Sequence, residues 1–425
     1  MQLKIIYFVF LMMGFPLLAQ NPINPDNRQK TGTETVPSET NGAVEPRETE
    51  IDILLDYYNQ DGDHTPVQGG QGTEKLTNAA PIFIVNVPLD TVSKLHVNFG
   101  FDYYTSASTN KIDQPYGSNI NMTGASKQDV RVHFDGGYSR ENRRNHTSWQ
   151  AMAGVSSEFD VVSGSLSAQF NKGSSDENRQ FSIGARVFFD QWQLIYPVEL
   201  RDPIKQGEVL GLKDDLRQSY NLSLIYSFVI NRKIQMALLA DVVYQTGLLS
   251  TPFHRVYFKD QDPASVVDLE RLPDSRFKLP LAVRMSYAIN DWLMMRGYYR
   301  FYSDDWGIAS NTVSLEFPIK LATFFTATPF YRFHKQSAAD YFAPFRGHSF
   351  NDEYYSSDYD LSALTSHKVG LGFKYAPLSG LGSFKPIFDV GRKVKFRSID
   401  LRASFYDRSD GLSAFNIAMG LGFLF

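Results

Sequence analysis

From about residue 49 to Phe425 the chain repeats one pattern: apolar and polar side chains alternate through a run, turn residues follow, and another run begins. Lys233 to Gln245 sets Ile234, Met236, Leu238, Ala240, Val242 and Tyr244 against Lys233, Gln235, Asp241 and Gln245. Phe277 to Tyr287 sets Phe277, Leu279, Leu281, Val283, Met285 and Tyr287 against Lys278, Arg284 and Ser286. The final run places Phe415, Ile417, Met419, Leu421, Phe423 and Phe425 on one parity, with Ala414, Asn416, Ala418, Gly420 and Gly422 on the other. Period two sends alternate side chains to opposite faces of a strand. Aromatic and aliphatic residues on one face, with small, polar or charged ones opposite, predict strands standing between lipid and a wet lumen.

The pattern predicts strands at 49–59, 81–89, 94–105, 128–139, 147–158, 161–171, 178–192 and 218–230. It continues with 233–247, 277–289, 291–303, 311–319, 322–334, 366–376, 395–406 and 412–425. Alternation alone also suits a soluble sandwich, so loop lengths decide. Even-numbered connections are mostly tight, as at Leu89-Asp-Thr-Val-Ser93, Asn231-Arg232, Asn290-Asp291 and Lys320-Leu321. The long connections, 60–80, 106–127, 193–217, 248–276 and 335–365, are all odd-numbered. Short periplasmic turns alternating with long external loops define an outer-membrane barrel, and an even strand count puts both termini in the periplasm. The expected fold is all-β: a transmembrane antiparallel β-barrel of about 16 strands. One even connection, 377–394, is long, glycine-rich and partly apolar; it reads as a slack turn, as a docking segment for a periplasmic protein, or as a segment folded inward.

The N-terminus adds a compartment. Met1-Gln-Leu-Lys4 followed by the apolar run Ile5 to Ala19 predicts a secretory signal over 1–19, because the run is too short to cross about 30 Å of hydrocarbon. Residues 20–47 hold Asn, Pro, Thr, Ser and Glu with almost no large apolar residue, so a disordered periplasmic tail is expected before the barrel at 48–425. No later stretch approaches the about 18 consecutive apolar residues of a membrane helix. A mean hydropathy of -0.28 is compatible with a barrel, half of whose residues face inward. The chain has no cysteine, which excludes disulfides, thiolate chemistry and a cysteine-linked lipid anchor. A net charge of -4 gives no bulk attraction to nucleic acid.

Five stretches together are similar to a family of Gram-negative outer-membrane barrels classed as a domain of unknown function. They are Asp56-Tyr-Tyr-Asn-Gln-Asp-Gly-Asp-His-Thr-Pro-Val-Gln-Gly-Gly-Gln-Gly-Thr-Glu-Lys-Leu76, Thr251-Pro-Phe-His-Arg-Val-Tyr-Phe258, Ser337-Ala-Ala-Asp-Tyr-Phe-Ala-Pro-Phe345, Ser357-Asp-Tyr-Asp-Leu-Ser362 and Tyr406-Asp-Arg-Ser-Asp-Gly-Leu-Ser-Ala414. The resemblance implies outer-membrane location and a barrel fold, carries no catalytic residue or cofactor, and implies exported redox proteins as company. The final strand also resembles the C-terminal strand of outer-membrane barrels, which implies that Phe423 and Phe425 are read by the barrel-assembly machinery. Membrane lipid and lipopolysaccharide are the other partners implied.

The candidate chemistry lies on the inward parity. Lys278, Arg284, Arg296, Arg300 and Arg332 face a lone Glu316 across strands ten to thirteen, the arrangement of a constriction that passes anions. The competing reading pairs these arginines with carboxylates across the barrel or from inserted loops. Asn59-Gln-Asp-Gly-Asp-His64 lacks the leading ligand of a calcium loop, and Gly69-Gly-Gln-Gly72 precedes a strand, so it reads as a tight loop rather than a phosphate cradle. His334, His348 and His367 with nearby serines have no metal or nucleophile spacing. No catalytic residue, cofactor or metal is expected. The expected function is a passive or gated conduit for small hydrophilic solutes; the alternative is a closed barrel serving as a docking subunit of an exported assembly.

Overall fold

A computed structural model describes residues 48–106, 128–207, 210–263, 266–385 and 393–425. The expected signal at 1–19, the tail at 20–47 and nearly all of loop 106–127 lie outside the described residues. The first nine strands are β1 Glu50–Asp61, β2 Leu76–Pro88, β3 Ser93–Ser106, β4 Gln128–Asn142, β5 Thr147–Ser157, β6 Val161–Gly173, β7 Arg179–Trp192, β8 Leu216–Val229 and β9 Ile234–Gly247. Between β7 and β8 runs a helix, α1 Val198–Gln206, and between β9 and the next barrel strand lies a small ribbon of β10 Arg255–Val256 and β11 Asp268–Leu269. The sheet continues through β12 Ser275–Ala288, β13 Met294–Asp304, β14 Ala309–Glu316, β15 Ile319–Ala322, β16 Phe325–Gln336 and β17 Leu364–Tyr375. It ends with β18 Gly382–Phe384, β19 Val394–Arg408 and β20 Ser413–Leu424.

Each barrel strand pairs antiparallel with its sequence neighbours, and β20 pairs with β1 from Ser413↔Asp61 to Leu424↔Glu50. That pairing closes the sheet. Because β14 and β15 both lie along β16 as one interrupted stave, and β18 is a short addition to β19, the barrel has sixteen staves. Closure pairs the first strand with the last, and a bilayer demands that a spanning sheet satisfy its backbone N–H and C=O groups internally. The outer face carries Tyr220, Leu222, Leu238, Tyr244, Phe277, Leu281, Tyr299 and Phe301, all exposed. An apolar surface this continuous is unstable in water; it is the lipid-facing band of a transmembrane barrel. Leu238 is 45% exposed whereas its neighbour Ala237 is 9% exposed, so the outward parity read from the sequence is the observed one. Among the described residues no helix is long and apolar enough to cross a membrane.

Most strand ends lie within three residues of the sequence expectation, and two departures have a clear physical reason. Strand β2 begins at Leu76 rather than at 81, because Leu76, Ala80 and Ile82 are apolar yet face inward and are buried, which blurs the alternation. The turn expected at Lys320-Leu321 lies at Thr323-Phe324. There the chain pauses at Phe317-Pro318, where proline has no N–H to donate, and resumes as β15 with a register shift between Lys320 and Ala322. In the connection 377–394, Gly382–Phe384 pairs with Val394–Phe396, while residues 386–392 lie outside the described residues.

Candidate functional site

Connections 62–75, 193–215, 248–274, 337–363 and 409–412 are all odd-numbered and so emerge at the same end of the barrel. The described parts of these connections pack into a cap. Arg255, at the start of β10, is 0% exposed. Its guanidinium makes a bidentate pair with Glu199 in the first turn of α1, with Nη2 donating at 3.1 Å, and its Nη1 donates to the Val67 carbonyl at 2.8 Å. One side chain thereby ties three loops together. Beside it the Phe258 ring meets Phe350 and Tyr355 edge-on, each at 5.2 Å between centroids.

The glycine-rich stretch of the first loop is folded beneath these residues. Gly69 and Gly70 have φ of 71° and 87°, the left-handed region that glycine adopts without strain. A Cβ on Gly70 would lie 2.9 Å from the Ser357 carbonyl oxygen, and one on Gly69 would lie 2.6 Å from the Tyr257 ring. His64 stacks on Tyr359 at 3.9 Å. The last loop joins through Arg408, whose Nη1 donates to Asp360 at 2.7 Å and whose Nε donates to Asp410 at 3.0 Å. Asp61, in the calcium-loop-like fragment, instead pairs with Lys75 at 3.6 Å.

A second buried polar group sits in the same cap. Glu270 is 0% exposed; its Oε2 accepts from the Thr251 N–H at 2.7 Å and its Oε1 accepts from the Ser356 hydroxyl at 2.5 Å. His254 Nδ1 lies 3.6 Å from Glu270 Oε1 and 3.9 Å from Asp358 Oδ2. Burial alone raises the Glu270 carboxyl, but the facing His254 charge with the hydrogen bonds from Ser356 and Thr251 outweighs it and holds the group below its usual value. Burial, then repulsion from Asp360 and Glu270, pushes Asp358 well above the usual carboxylate range. Glu74, beneath the cap, is likewise pushed up to about 7, by burial first and by the Asp360 charge next.

Below the cap lies the lumen wall. Lys278 and Arg284 on β12, Arg296 and Arg300 on β13, Glu316 on β14 and Arg332 on β16 share the inward parity. Register puts Arg296 directly across from Glu316, and their charged groups approach to 3.8 Å. The other Glu316 oxygen accepts from Arg402 of β19 at 3.0 Å. The carboxylate seen as lone in the sequence is thus shared between two arginines from separate parts of the wall. Among the described residues no ion pair reaches Arg284 or Arg332. The three histidines around the 337–363 loop are not brought together. His334 faces inward against Thr312, His348 is buried in the cap against Asp352 and the Ser356 carbonyl, and His367 faces outward against the Tyr331 hydroxyl.

On the last strand, Phe423 stacks on Phe396 of β19 at 5.0 Å and meets Phe384 of β18 edge-on at 6.2 Å. Phe425 and Thr49 exchange backbone hydrogen bonds at 2.9 and 2.7 Å. The sequence reading missed the His254, Glu270 and Asp358 grouping, although two of its members lie inside the stretches Thr251–Phe258 and Ser357–Ser362. All five of those stretches reach the cap.

A closed, sixteen-stave transmembrane β-barrel with a folded loop cap over one mouth is therefore the class of the molecule. Within it, residues 25–381 match the family described as protein of unknown function (DUF3570), and the chain belongs to that family. The match takes in four of the five stretches, with Tyr406–Ala414 beyond it. No curated protein matches the chain. Solved structures resemble it at low identity. A bacterial polysaccharide outer membrane secretin is similar at 9% identity over 90% of this chain and 100% of its own, with a TM-score of 0.46. OccK1 (OpdK) of Pseudomonas aeruginosa is similar at 7% identity over 89% and 98%, with a TM-score of 0.37. The ferric enterobactin receptor of the same organism is similar at 11% identity over 85% of this chain and 54% of its own, with a TM-score of 0.41.

Proposed function

We propose that the protein is an outer-membrane conduit for small hydrophilic solutes, selective for anions and gated at its capped mouth. The inward cationic wall carries this reading. Arg284, Arg296, Arg300 and Arg332 project from β12, β13 and β16, in a sheet whose adjacent strands lie about 4.8 Å apart, while Glu316 of β14 is shared by Arg296 and Arg402. Positive charge in excess along a wet, low-dielectric wall attracts and orders passing anions. In this reading the even-numbered turns and both termini face the periplasm, the cap faces outward, lipid and lipopolysaccharide surround the barrel, and the chemistry is transport without catalysis.

A second reading has a specific observation behind it: the full burial of Arg255 and Glu270 in the cap suits a barrel sealed at one end. Such a molecule would serve as a docking subunit, with the 377–394 connection as its periplasmic contact. Conductance of the purified barrel in a planar bilayer separates the two. For a conduit, wild type conducts, and replacing Arg296 and Arg300 together by Gln shifts the reversal potential toward cations in a salt gradient. Conductance whose selectivity ignores the double variant would remove the arginine wall from the account. A silent wild type with a conducting variant would favour the sealed subunit.

A further inference from the structure

We propose that the cap contains a divalent transition-metal site, built from His254 Nδ1, a carboxylate oxygen of Glu270 and Asp358 Oδ2. The site stands independently of whether the barrel conducts.

Backbone pairing brings the three residues together. His254 and Glu270 flank the β10–β11 ribbon, and the Glu270 N–H donates to the His254 carbonyl at 2.9 Å. Arg271 and Tyr355 then exchange backbone hydrogen bonds at 3.0 and 2.7 Å, which carries the 337–363 connection alongside the ribbon and brings in Asp358. The resulting donor atoms, one from each residue, all lie within 4.8 Å of one another, and all three residues are buried. Nitrogen and oxygen ligands bind zinc at about 2.0–2.2 Å, so the edges of a tetrahedral site measure about 3.4 Å. The observed 3.6 and 3.9 Å separations exceed that by a few tenths, within the reach of a small side-chain movement.

Asp358 supplies the independent pointer to a cation. It is 3% exposed, its Oδ1 accepts from the Asp360 N–H at 2.9 Å, and its Oδ2 accepts no hydrogen bond. The distance of 3.9 Å to His254 Nδ1 is too long for one. A carboxylate oxygen withdrawn from water without a donor is costly, and a bound cation supplies the missing partner. The surroundings already hold the ligands in place: the Ser356 hydroxyl and the Thr251 N–H fix Glu270, and the Asp360 N–H fixes Asp358, the kind of outer support that metal-binding carboxylates carry. One imidazole with two carboxylates suits zinc or manganese; calcium takes six to eight oxygens and magnesium keeps most of its water.

The test uses the full barrel, folded in detergent and stripped with a chelator. Wild type is expected to take up one Zn2+ per chain against excess Mg2+, and zinc is expected to raise the temperature at which its heat-modifiable gel band shifts. Asp358→Asn is expected to weaken zinc uptake at least tenfold while keeping the folded band. Asp129→Asn, in the partly exposed Asp129–Glu158–Asp160 group, is expected to change nothing. Equal zinc uptake by wild type and Asp358→Asn would overturn the proposal. So would an Asp358→Asn barrel more heat-resistant than a zinc-indifferent wild type, since that identifies a plain histidine–carboxylate cluster. Should the variant not fold, Co2+ added to wild type decides: a ligand-field spectrum differing from that of the hydrated ion supports the site, and the hydrated-ion spectrum overturns it.

Discussion

Arg255 shows how much of the cap hangs on single side chains. Its carboxylate partner, Glu199, comes from a helix more than fifty residues earlier, and the pair is desolvated. Glu199→Ala removes the bidentate acceptor from a buried guanidinium, which costs about 3 kcal/mol. The expected result is faster hydrogen exchange and proteolysis in 193–215 and 248–274, with the barrel band unchanged. Glu74 gives the cap a pH dependence. Its carboxyl is raised to about 7 from the ordinary 4.5, so the folded cap holds the proton more tightly than the open chain does. Stability is therefore greatest below the ordinary value and falls as pH rises from about 4.5 to about 7. The groups facing Glu74 are Asp63, Asp360, Arg408 and Asp410. Protease nicking of the first loop is expected to increase across that window, and Glu74→Gln is expected to flatten the profile.

Among the elements, alternation was legible because lipid and lumen impose opposite demands on successive residues. The phase of β9 and β12 follows directly from Leu238 and Leu281 against Gln235 and Arg284. A charge at Leu238, near mid-membrane, costs about 2–4 kcal/mol, whereas one at Gln235 meets the lumen. Leu238→Arg is therefore expected to lose most of its folded barrel on heat-modifiable gels and Gln235→Arg to keep it; equal yields would overturn this assignment of faces. Legibility failed where this contrast fades. In β2 the inward residues Leu76, Ala80 and Ile82 lie among other residues rather than water, so the strand's first turn read as loop. Around Pro318 the apolar residues Leu321, Phe324 and Phe325 offered no alternation to fix the turn. The cap was invisible for another reason. Its contacts, Arg255 to Val67 or Ser356 to Glu270, join segments roughly ninety to two hundred residues apart, and no local period encodes such pairings. Only the fold put His254, Glu270 and Asp358 within reach of one another.

For the whole molecule, the decisive contact is the seam between β1 and β20. Across it Phe425 exchanges hydrogen bonds with Thr49, and on the other side of β20 Phe423 meets Phe396 of β19 and Phe384 of β18. Deleting Phe425, or replacing Phe423 and Phe425 by Ala, is expected to lower the yield of folded outer-membrane protein; unchanged yield in both would end the reading of these residues as an assembly signal. The seam also sets the order of events in time. β1 has no partner on one side until β20 arrives, so any partly assembled sheet has two open margins. Each margin is a row of unsatisfied amides that would recruit any extended chain nearby. A partly formed sheet is therefore exposed at both margins together, and both are covered in the single step in which β20 meets β1.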